Sequence, residues 1–231
     1  MDESADSRTA MVDNQVRPSD VTKFPVIKAL LSVPREVFVP PAMKPVAYAD
    51  MQIPIGPNRD RVILDARNFA KMLDTVDIQP DELVLDLGCG FGYSAAVISR
   101  LAQAVVAVEE IAEIAEEAEV LLTRHNVDNA IVISAPLAEG SARHCPYDVI
   151  IVEGGIEYVP DAIAGQLKDG GRIFGMFGGE RVCRGRLGRK VGKQIHWRNE
   201  FDASAPVLPG FRRERSFESR WKKGQAFAQV F

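Results

Sequence analysis

The chain has 231 residues, of which 46% are hydrophobic and 26% charged, and its formal net charge at pH 7 is −4. This length and composition are typical of a globular chain with one main domain and exclude a fibrous or low-complexity protein. No apolar run reaches the ~20 residues of a membrane-spanning helix, and the acidic, polar first residues are unlike a signal or transit peptide. The three cysteines are too widely spaced for a CxxC metal site or a disulfide framework. We therefore expect a cytoplasmic protein that does not associate with membranes.

Residues 1–64 are predicted to form a helical, proline-rich extension on the substrate side of the fold. Apolar residues at helical spacing predict a helix over 22–33, which Pro34 ends. Six prolines between positions 34 and 57 then predict an irregular, turning path. The helical pattern resumes over 65–76, with Asp65 as the N-cap.

Residues 65–180 alternate short apolar runs with helical patterns. Strands are predicted at 83–87, 105–109, 130–133, 147–152 and 171–177, with helices at 93–101, 111–125 and 161–167. Strands that are buried on both faces have continuous apolar sequences, and the alternation with helices gives parallel crossovers. The predicted fold class is α/β, with a doubly wound, mostly parallel, Rossmann-like sheet.

Residues 181–231 form a basic segment, with 13 Lys and Arg against four Asp and Glu. Strand patterns at 190–201 and 226–231 without an intervening helix predict an antiparallel pair that completes the sheet. A basic surface with aromatic residues can bind nucleic acid, and the candidates for base stacking are Trp197, Phe211, Trp221 and Phe227. The composition favours a different interpretation, in which the charges are solvated or match the acidic body and the aromatic residues form the core of the hairpin.

The turn after the strand at 83–87 carries the clearest chemical signal. Glycines at 88, 90 and 92 let the backbone turn sharply and approach a ligand, and the helix that follows presents free N–H groups. The spacing GxGxG lacks the third glycine of the GxGxxG dinucleotide fingerprint. Asp86 would repel a diphosphate but attract a cationic amino group, such as that of S-adenosylmethionine.

Glu109 ends the next strand, where Rossmann-like proteins place the acid that binds the ribose hydroxyls. Its other interpretation is an acid at a helix N-terminus. Together these residues favour S-adenosylmethionine over NAD as the cofactor. The predicted cofactor-binding residues of the turn and the strand end are Asp86, Gly88, Cys89, Gly90, Gly92, Tyr93 and Glu109.

Several segments give the chain a resemblance to the protein-L-isoaspartate O-methyltransferases. They are Pro-Arg-Glu-Val-Phe-Val-Pro at 34–40, the segment 47–56, the glycine turn within 84–96, and the segments 145–150 and 166–172. The resemblance covers most of the chain and implies a class I methyltransferase fold, S-adenosylmethionine as the cofactor, no metal, and a protein or peptide substrate. Such enzymes transfer the sulfonium methyl to the α-carboxylate of an isoaspartyl residue, and the ester then cyclises to a succinimide that partly reopens to aspartate.

Two segments depart from that family's pattern. The family has Thr-Ile-Ser-x-Pro on the substrate side, where this chain has Val62-Ile63-Leu64-Asp65-Ala66, which is apolar where hydroxyls are expected. The family's Gly-Asp-Gly near the adenine is replaced by Ala135-Pro136-Leu137, so adenine contact would come from the backbone and from Leu137. Predicted substrate-side residues are Ile53, Arg59, Arg61 and Leu64, and each arginine either holds the substrate carboxylate or is a solvated loop charge.

Glu153 ends the fourth strand at the cleft where acceptors enter such folds, so it is a candidate general base or acceptor-positioning group. Three functions remain open. The first is a methyltransferase for an isoaspartyl or other peptide carboxylate, and the second is a methyltransferase for a different acceptor, including RNA reached through the basic segment. The third is a non-catalytic homologue that binds the cofactor or has lost it. Nothing in the sequence predicts an oligomeric state.

Overall fold

The computed structural model describes residues 3–56, 61–178 and 182–213. Its N-terminal layer contains helices α1 (Glu3–Met11) and α2 (Phe24–Ser32), with a π-helical segment at Val12–Val16 and 3-10 turns at Arg17–Ser19, Arg35–Val37 and Pro41–Val46. Helix α2 confirms the helix predicted over 22–33, with slightly shorter ends. Helix α1 was not predicted, because it is polar almost throughout and buries only Met11.

A short antiparallel hairpin follows the N-terminal layer and stands apart from the main sheet. Its strands are β1 (Ile53–Ile55) and β2 (Arg61–Ile63), with Ile53 opposite Ile63 and Ile55 opposite Arg61. The proline-rich pattern predicted an irregular path here, and a pairing of only three residues on each side leaves little periodicity to detect.

Helix α3 (Ala66–Val76) confirms the helix predicted after the hairpin. The Asp65 side chain caps it by accepting a hydrogen bond from the backbone N–H of Asn68 at 2.9 Å. Phe69, Met72 and Leu73 lie on its buried face. The helix therefore fixes the C-terminal end of the hairpin against the core.

The main sheet has seven strands in the order β5-β4-β3-β6-β7-β8-β9. The strands are β3 (Leu83–Leu87), β4 (Ala104–Glu109), β5 (Ala130–Ser134), β6 (Tyr147–Ile156), β7 (Leu167–Gly178), β8 (Cys183–Val191) and β9 (Gln194–Ala203). Helices α4 (Tyr93–Ile98), α5 (Ala112–Arg124) and α6 (Asp161–Gln166) connect the parallel strands. Strands β5, β4, β3, β6 and β7 pair in parallel, and β8 and β9 continue the sheet in antiparallel fashion. The predicted fold class is confirmed.

This strand order creates the crevice in which ligands bind in open α/β sheets. The chain leaves β3 to one side for β4 and later returns to the other side for β6, so the connections diverge at the carboxyl ends of β3 and β6. The glycine turn follows β3, and Glu153 lies near the end of β6. The fold thus brings together two segments that the sequence analysis singled out.

The strand predicted at 190–201 coincides with β9 over most of its length, but its predicted start is wrong, because residues 190 and 191 belong to β8. Strands β8 and β9 occupy 183–203 and reverse direction at Gly192, whose φ of +61° is one that glycine adopts without strain. A charged, alternating sequence on both sides of this turn hides the break. The predicted strand at 226–231, together with Trp221 and Phe227, lies outside the described residues. Trp197 packs edge-on against Phe177 with ring centroids 4.6 Å apart, as the hairpin-core interpretation expects.

Within the described part of the basic segment, several cations have partners on the protein. Arg184 pairs with Asp202 at 2.9 Å and Arg198 with Glu200 at 2.5 Å. The Lys190 ammonium donates to two backbone carbonyls. Nucleic-acid binding through this segment remains a prediction. Helices of the length and apolarity needed to cross a bilayer do not occur among the described residues.

The hydrophobic core lies on both faces of the sheet. Met11 and Leu30 of the N-terminal layer belong to the same buried cluster as residues of α3 and α4. Pairing of β7 with β8 also continues the sheet past residue 180. The division of the chain into domains at 64 and 180 remains a prediction. The first two segments share a buried cluster, and the last two share the main sheet.

Candidate functional site

The glycine turn links β3 to α4 in the crevice. Gly88, Gly90 and Gly92 have φ values of +90°, +55° and +92°, which residues with a side chain rarely adopt. The N–H of Gly88 donates to the carbonyl of Val108 at 2.8 Å, which ties the turn to the end of β4. This geometry places Asp86 and Glu109, from neighbouring strands, beside the same turn.

Asp86 is completely buried at the bottom of the crevice. Its Oδ2 accepts a hydrogen bond from the Ser94 hydroxyl at 2.6 Å, and its Oδ1 has no partner among the described residues. Burial raises the pKa of the Asp86 carboxyl from 3.8 to about 7, against the lowering effect of the Ser94 hydrogen bond. Ser94 was not predicted, although its place in the first turn of α4 is the signal that could have identified it.

Glu109 is also fully buried, and its carboxylate is saturated with hydrogen bonds. Arg61 Nη1 donates to Oε1 at 2.9 Å and Arg61 Nη2 to Oε2 at 2.6 Å. The backbone N–H groups of Gly90 and Ile111 donate to Oε2 at 2.9 Å and to Oε1 at 3.0 Å. A carboxylate offers about four acceptor sites, and here all four are used.

Arg61 therefore does not occupy the position predicted for it. The sequence analysis placed it on the substrate side, as a carboxylate ligand or a solvated loop charge. Its side chain is only 2% exposed and its guanidinium binds the predicted ribose acid. Its Nη2 lies 3.2 Å from the position that a Cβ on Gly88 would take. Arg59 lies outside the described residues.

Glu153 lies on the other side of the turn and is 5% exposed. Its Oε1 has no hydrogen-bond partner among the described residues. Burial, and then the nearby Asp86 carboxyl, raise the pKa of Glu153 well above its usual range, while Arg35 and Arg61 oppose this. Burial thus favours the protonated form of Glu153, which can donate a hydrogen bond.

The wall opposite the glycine turn is apolar, as the departure from Thr-Ile-Ser predicts. Val62, Leu64, Phe69 and Tyr93 line, with the turn and Glu153, a cavity of only about 10 Å³. Ile53 is fully buried in the hairpin behind this wall. The cavity has room for about one water molecule.

Arg35 holds the hairpin against the N-terminal layer. It is 1% exposed, donates from Nε to the Ala47 carbonyl at 2.8 Å and from Nη2 to the Leu64 carbonyl at 2.7 Å, and stacks over the Tyr93 ring at 4.7 Å. Cys89 and Tyr93, predicted to contact the cofactor, are buried beside the turn, and burial raises the pKa of both side chains. Arg35 carried no chemical signal of its own in the sequence beyond its place in the segment 34–40.

The proline-rich loop after β9 covers the remaining side of the crevice. Its backbone pairs with β6, since Gly155 N donates to the Pro206 carbonyl at 2.8 Å and Leu208 N to the Gly155 carbonyl at 2.9 Å. A Leu208 methyl group lies 3.6 Å from the position of a Cβ on Gly88. Leu137, the predicted adenine contact, is 1% exposed and belongs to the same buried cluster as Leu208.

The profile of the protein-L-isoaspartate(D-aspartate) O-methyltransferases matches residues 6–181. The chain belongs to this family. A protein-L-isoaspartate O-methyltransferase from Methanoregula boonei is 34% identical over 178 residues, which cover 77% of this chain and 81% of the relative. One from Koribacter versatilis is 36% identical over 168 residues, covering 72% and 74% of the two chains.

Solved structures agree with this family assignment. A protein-L-isoaspartate O-methyltransferase structure has a TM-score of 0.76 and 26% identity, covering 88% of this chain and 66% of the other. A beta-aspartate methyltransferase from Plasmodium falciparum, in complex with S-adenosyl-L-homocysteine, has a TM-score of 0.74 and 16% identity over 87% and 97% of the chains. The second likeness concerns the fold alone. The predicted family resemblance and class I methyltransferase fold are confirmed.

The residues present fit the chemistry of S-adenosylmethionine, and the described residues leave little open space beside the glycine turn. Glu109 can accept hydrogen bonds from a ribose diol, the glycine turn permits close approach of a ligand, and the Asp86 carboxyl can bind a cation. Ligand pockets hold roughly 300–1,000 Å³, whereas this cavity measures about 10 Å³. Arg61 and Ile55 fill the intervening space, with an Ile55 methyl 2.8 Å from the position of a Cβ on Gly90. Among the described residues, side chains of the hairpin thus lie in the part of the crevice beside the glycine turn.

Proposed function

We propose that this chain is an S-adenosylmethionine-dependent O-methyltransferase that methylates the α-carboxylate of isoaspartyl residues in proteins or peptides. The observation that carries the proposal is the convergence of Asp86, the glycine turn and Glu109 at the ends of β3 and β4 in a member of this family. We also propose the cytoplasm as its location, from the cysteine content.

In this proposal the cofactor supplies a methyl group on a positively charged sulfonium. Glu109 is the residue that would hold the ribose hydroxyls, the glycine turn would lie against the cofactor, and Asp86 would face its cationic amino acid part. The residues at the turn thus supply binding and orientation, which are the main contributions an enzyme can make when the reacting groups need little activation.

The acceptor in such a reaction is already a carboxylate, so it needs positioning more than deprotonation. A protonated Glu153 can donate a hydrogen bond to an acceptor carboxylate, and it adds no negative charge to repel it. This favours the acceptor-positioning role over the general-base role for Glu153. The apolar side chains of Val62 and Leu64 would exclude water where the family's pattern has hydroxyl groups.

A transfer assay with two matched peptides tests this proposal. The peptides share one sequence and differ only in carrying isoaspartate or aspartate at one position, and total RNA serves as a third acceptor. With saturating tritiated-methyl cofactor, we expect base-labile label on the isoaspartyl peptide and background label on the other two. Base-stable label on RNA would identify a different acceptor class, and the absence of label on every acceptor would support a non-catalytic homologue.

An Asp86→Ala variant is the control for the position of the site. Loss of Asp86 should weaken cofactor binding and lower the transfer rate at subsaturating cofactor. Unchanged cofactor affinity would mean that the cofactor does not lie beside the glycine turn.

A further inference from the structure

The Arg61–Glu109 pair uses the same acceptor atoms that a ribose would need. Each Glu109 oxygen already accepts one bond from Arg61 and one from the backbone. A ribose diol can bind this carboxylate only if two of these four donors leave. The backbone donors are fixed by the turn and by the start of α5, so the guanidinium is the donor that can be replaced.

The same guanidinium also fills space beside the glycine turn. Its Nη2 lies against Gly88, where the missing Cβ permits close approach. Glycines at such positions let a ligand reach the backbone, and here a side chain of the protein reaches it instead. Arg61 therefore blocks the crevice both chemically and sterically.

A second ion pair in this protein, Arg172–Glu82, provides a comparison for the Arg61–Glu109 pair. Arg172 binds both oxygens of Glu82 at 2.9 and 2.6 Å, and it also donates Nε to the Val76 carbonyl at 2.8 Å and Nη2 to the Asp77 carbonyl at 3.0 Å. Arg61 forms the same two bonds to its acid, but its buried Nε has no partner among the described residues. Among the described residues the Arg61 guanidinium is thus held by Glu109 alone, so fewer hydrogen bonds must break for it to leave than for the Arg172 guanidinium to leave.

The position of Arg61 allows its side chain to move without disturbing the main sheet. Arg61 starts β2, in a two-stranded hairpin that belongs to a separate sheet. Beside its guanidinium, the buried Asp86 Oδ1 and Glu153 Oε1 also lack partners. Glu109, Asp86 and Glu153 thus lie near the Arg61 guanidinium, with Arg35 also near Glu153. This excess of carboxyl groups is equally suited to a cationic ligand.

We propose that Arg61 is an internal competitor of the cofactor, which binds Glu109 in the free protein and must leave it before S-adenosylmethionine or S-adenosylhomocysteine can bind. This inference rests on the proposed function, since it assumes that the cofactor site is the one beside the glycine turn. The apparent affinity for the cofactor is then the intrinsic affinity multiplied by the fraction of molecules in which the Arg61–Glu109 pair is open.

Calorimetric titration with S-adenosylhomocysteine tests the proposal without relying on activity. The proteins are the wild type, Arg61→Met, which keeps an unbranched apolar stem but removes the charge and the guanidinium beside Gly88, and Arg172→Met as a matched control. We expect Arg61→Met to bind about 5- to 150-fold more tightly than the wild type, the usual range of coupling between sites. Arg172→Met should bind as the wild type does.

The possible failures are distinguishable. Equal or weaker binding by Arg61→Met overturns the competitor role while the proposed function stands. If none of the three folded proteins binds, both the competitor role and the cofactor-dependent function are wrong.

If Arg61→Met does not fold, the wild type and Arg61→Lys decide. An Arg61→Lys side chain keeps the charge but lacks the two-pronged fork, so its affinity for S-adenosylhomocysteine should exceed that of the wild type. In ¹⁵N spectra of the wild type, the slowly exchanging Arg61 guanidinium signals should be lost as the ligand binds. Binding that leaves those signals unchanged would overturn the proposal.

Discussion

Replacing Arg61 in the ligand-free protein removes one half of an ion pair whose side chains are 2% and 0% exposed. Glu109 then loses two charge-assisted hydrogen bonds and keeps two from the backbone. Such bonds contribute about 1.5–3 kcal/mol each, and breaking a buried pair by removing one partner typically costs about 3–5 kcal/mol. We therefore expect Arg61→Met to lower the free energy of unfolding by about 3–5 kcal/mol, a large part of the roughly 5–15 kcal/mol of a typical domain.

The double-mutant cycle makes this prediction specific to the pair. In Arg61→Met/Glu109→Gln the buried carboxylate is gone, and the amide oxygen still accepts from the backbone. The double variant should therefore lose about 2–3 kcal/mol less than the sum of the two single variants. Urea unfolding followed by circular dichroism, without ligand, measures all four free energies. Additive losses would show that the two side chains do not interact as the structure has them.

Three further predictions concern other residues of the site and its support. The pKa of Asp86 is raised to about 7 in the folded protein. Between pH 4 and 7 the folded protein therefore binds a proton that the unfolded chain releases, and the free energy of unfolding falls as the pH rises through this window. Asp86→Asn should therefore gain stability relative to the wild type across that window in urea titrations, and a difference independent of pH would contradict the raised pKa. In steady-state assays, Glu153→Ala should raise the peptide KM by about tenfold, equivalent to one hydrogen bond of about 1.4 kcal/mol. Glu153→Gln keeps a hydrogen-bond donor and should change this KM little. Equal changes in KM for the two variants would exclude the positioning role. Asp65→Ala should cost about 1 kcal/mol in thermal or urea unfolding, because the N-cap bond to Asn68 is lost, and an unchanged stability would mean that the cap contributes nothing.

The parts of the fold that sequence reasoning predicted are those encoded locally. The apolar strands β3, β4 and β6, the glycine turn between β3 and α4, and the Asp65 cap each depend on neighbours within a few residues. Parallel pairing follows from alternation with helices. These features were therefore predictable before any long-range contact was known.

The features that sequence reasoning missed depend on contacts between distant segments or on weak patterns. Arg61 and Glu109 are 48 positions apart, and a lone cation near a charged loop gives no indication of its partner. Helix α1 has almost no apolar face, and the break between β8 and β9 is concealed by charged residues on both sides. The backbone pairing between β6 and the loop that contains Leu208 forms only in the folded sheet, so no local pattern indicates it.

The cofactor-binding site illustrates both what the sequence predicts and what it misses. Asp86, Gly90 and Glu109 do converge, because parallel neighbouring strands bring their carboxyl ends to one edge. The sequence could not show that a side chain of the hairpin would fill the space between them. The sequence thus predicts which groups could bind the cofactor, but not whether the space between those groups is open.

A crystal structure of the protein grown with S-adenosylhomocysteine would show where the cofactor binds and whether Arg61 moves. The prediction is that the ligand lies beside Gly88 and Gly90, with its ribose hydroxyls on the Glu109 carboxylate and the Arg61 guanidinium displaced from that carboxylate. An intact Arg61–Glu109 pair in a crystal that holds the ligand elsewhere, or that holds none at saturating concentration, would contradict it.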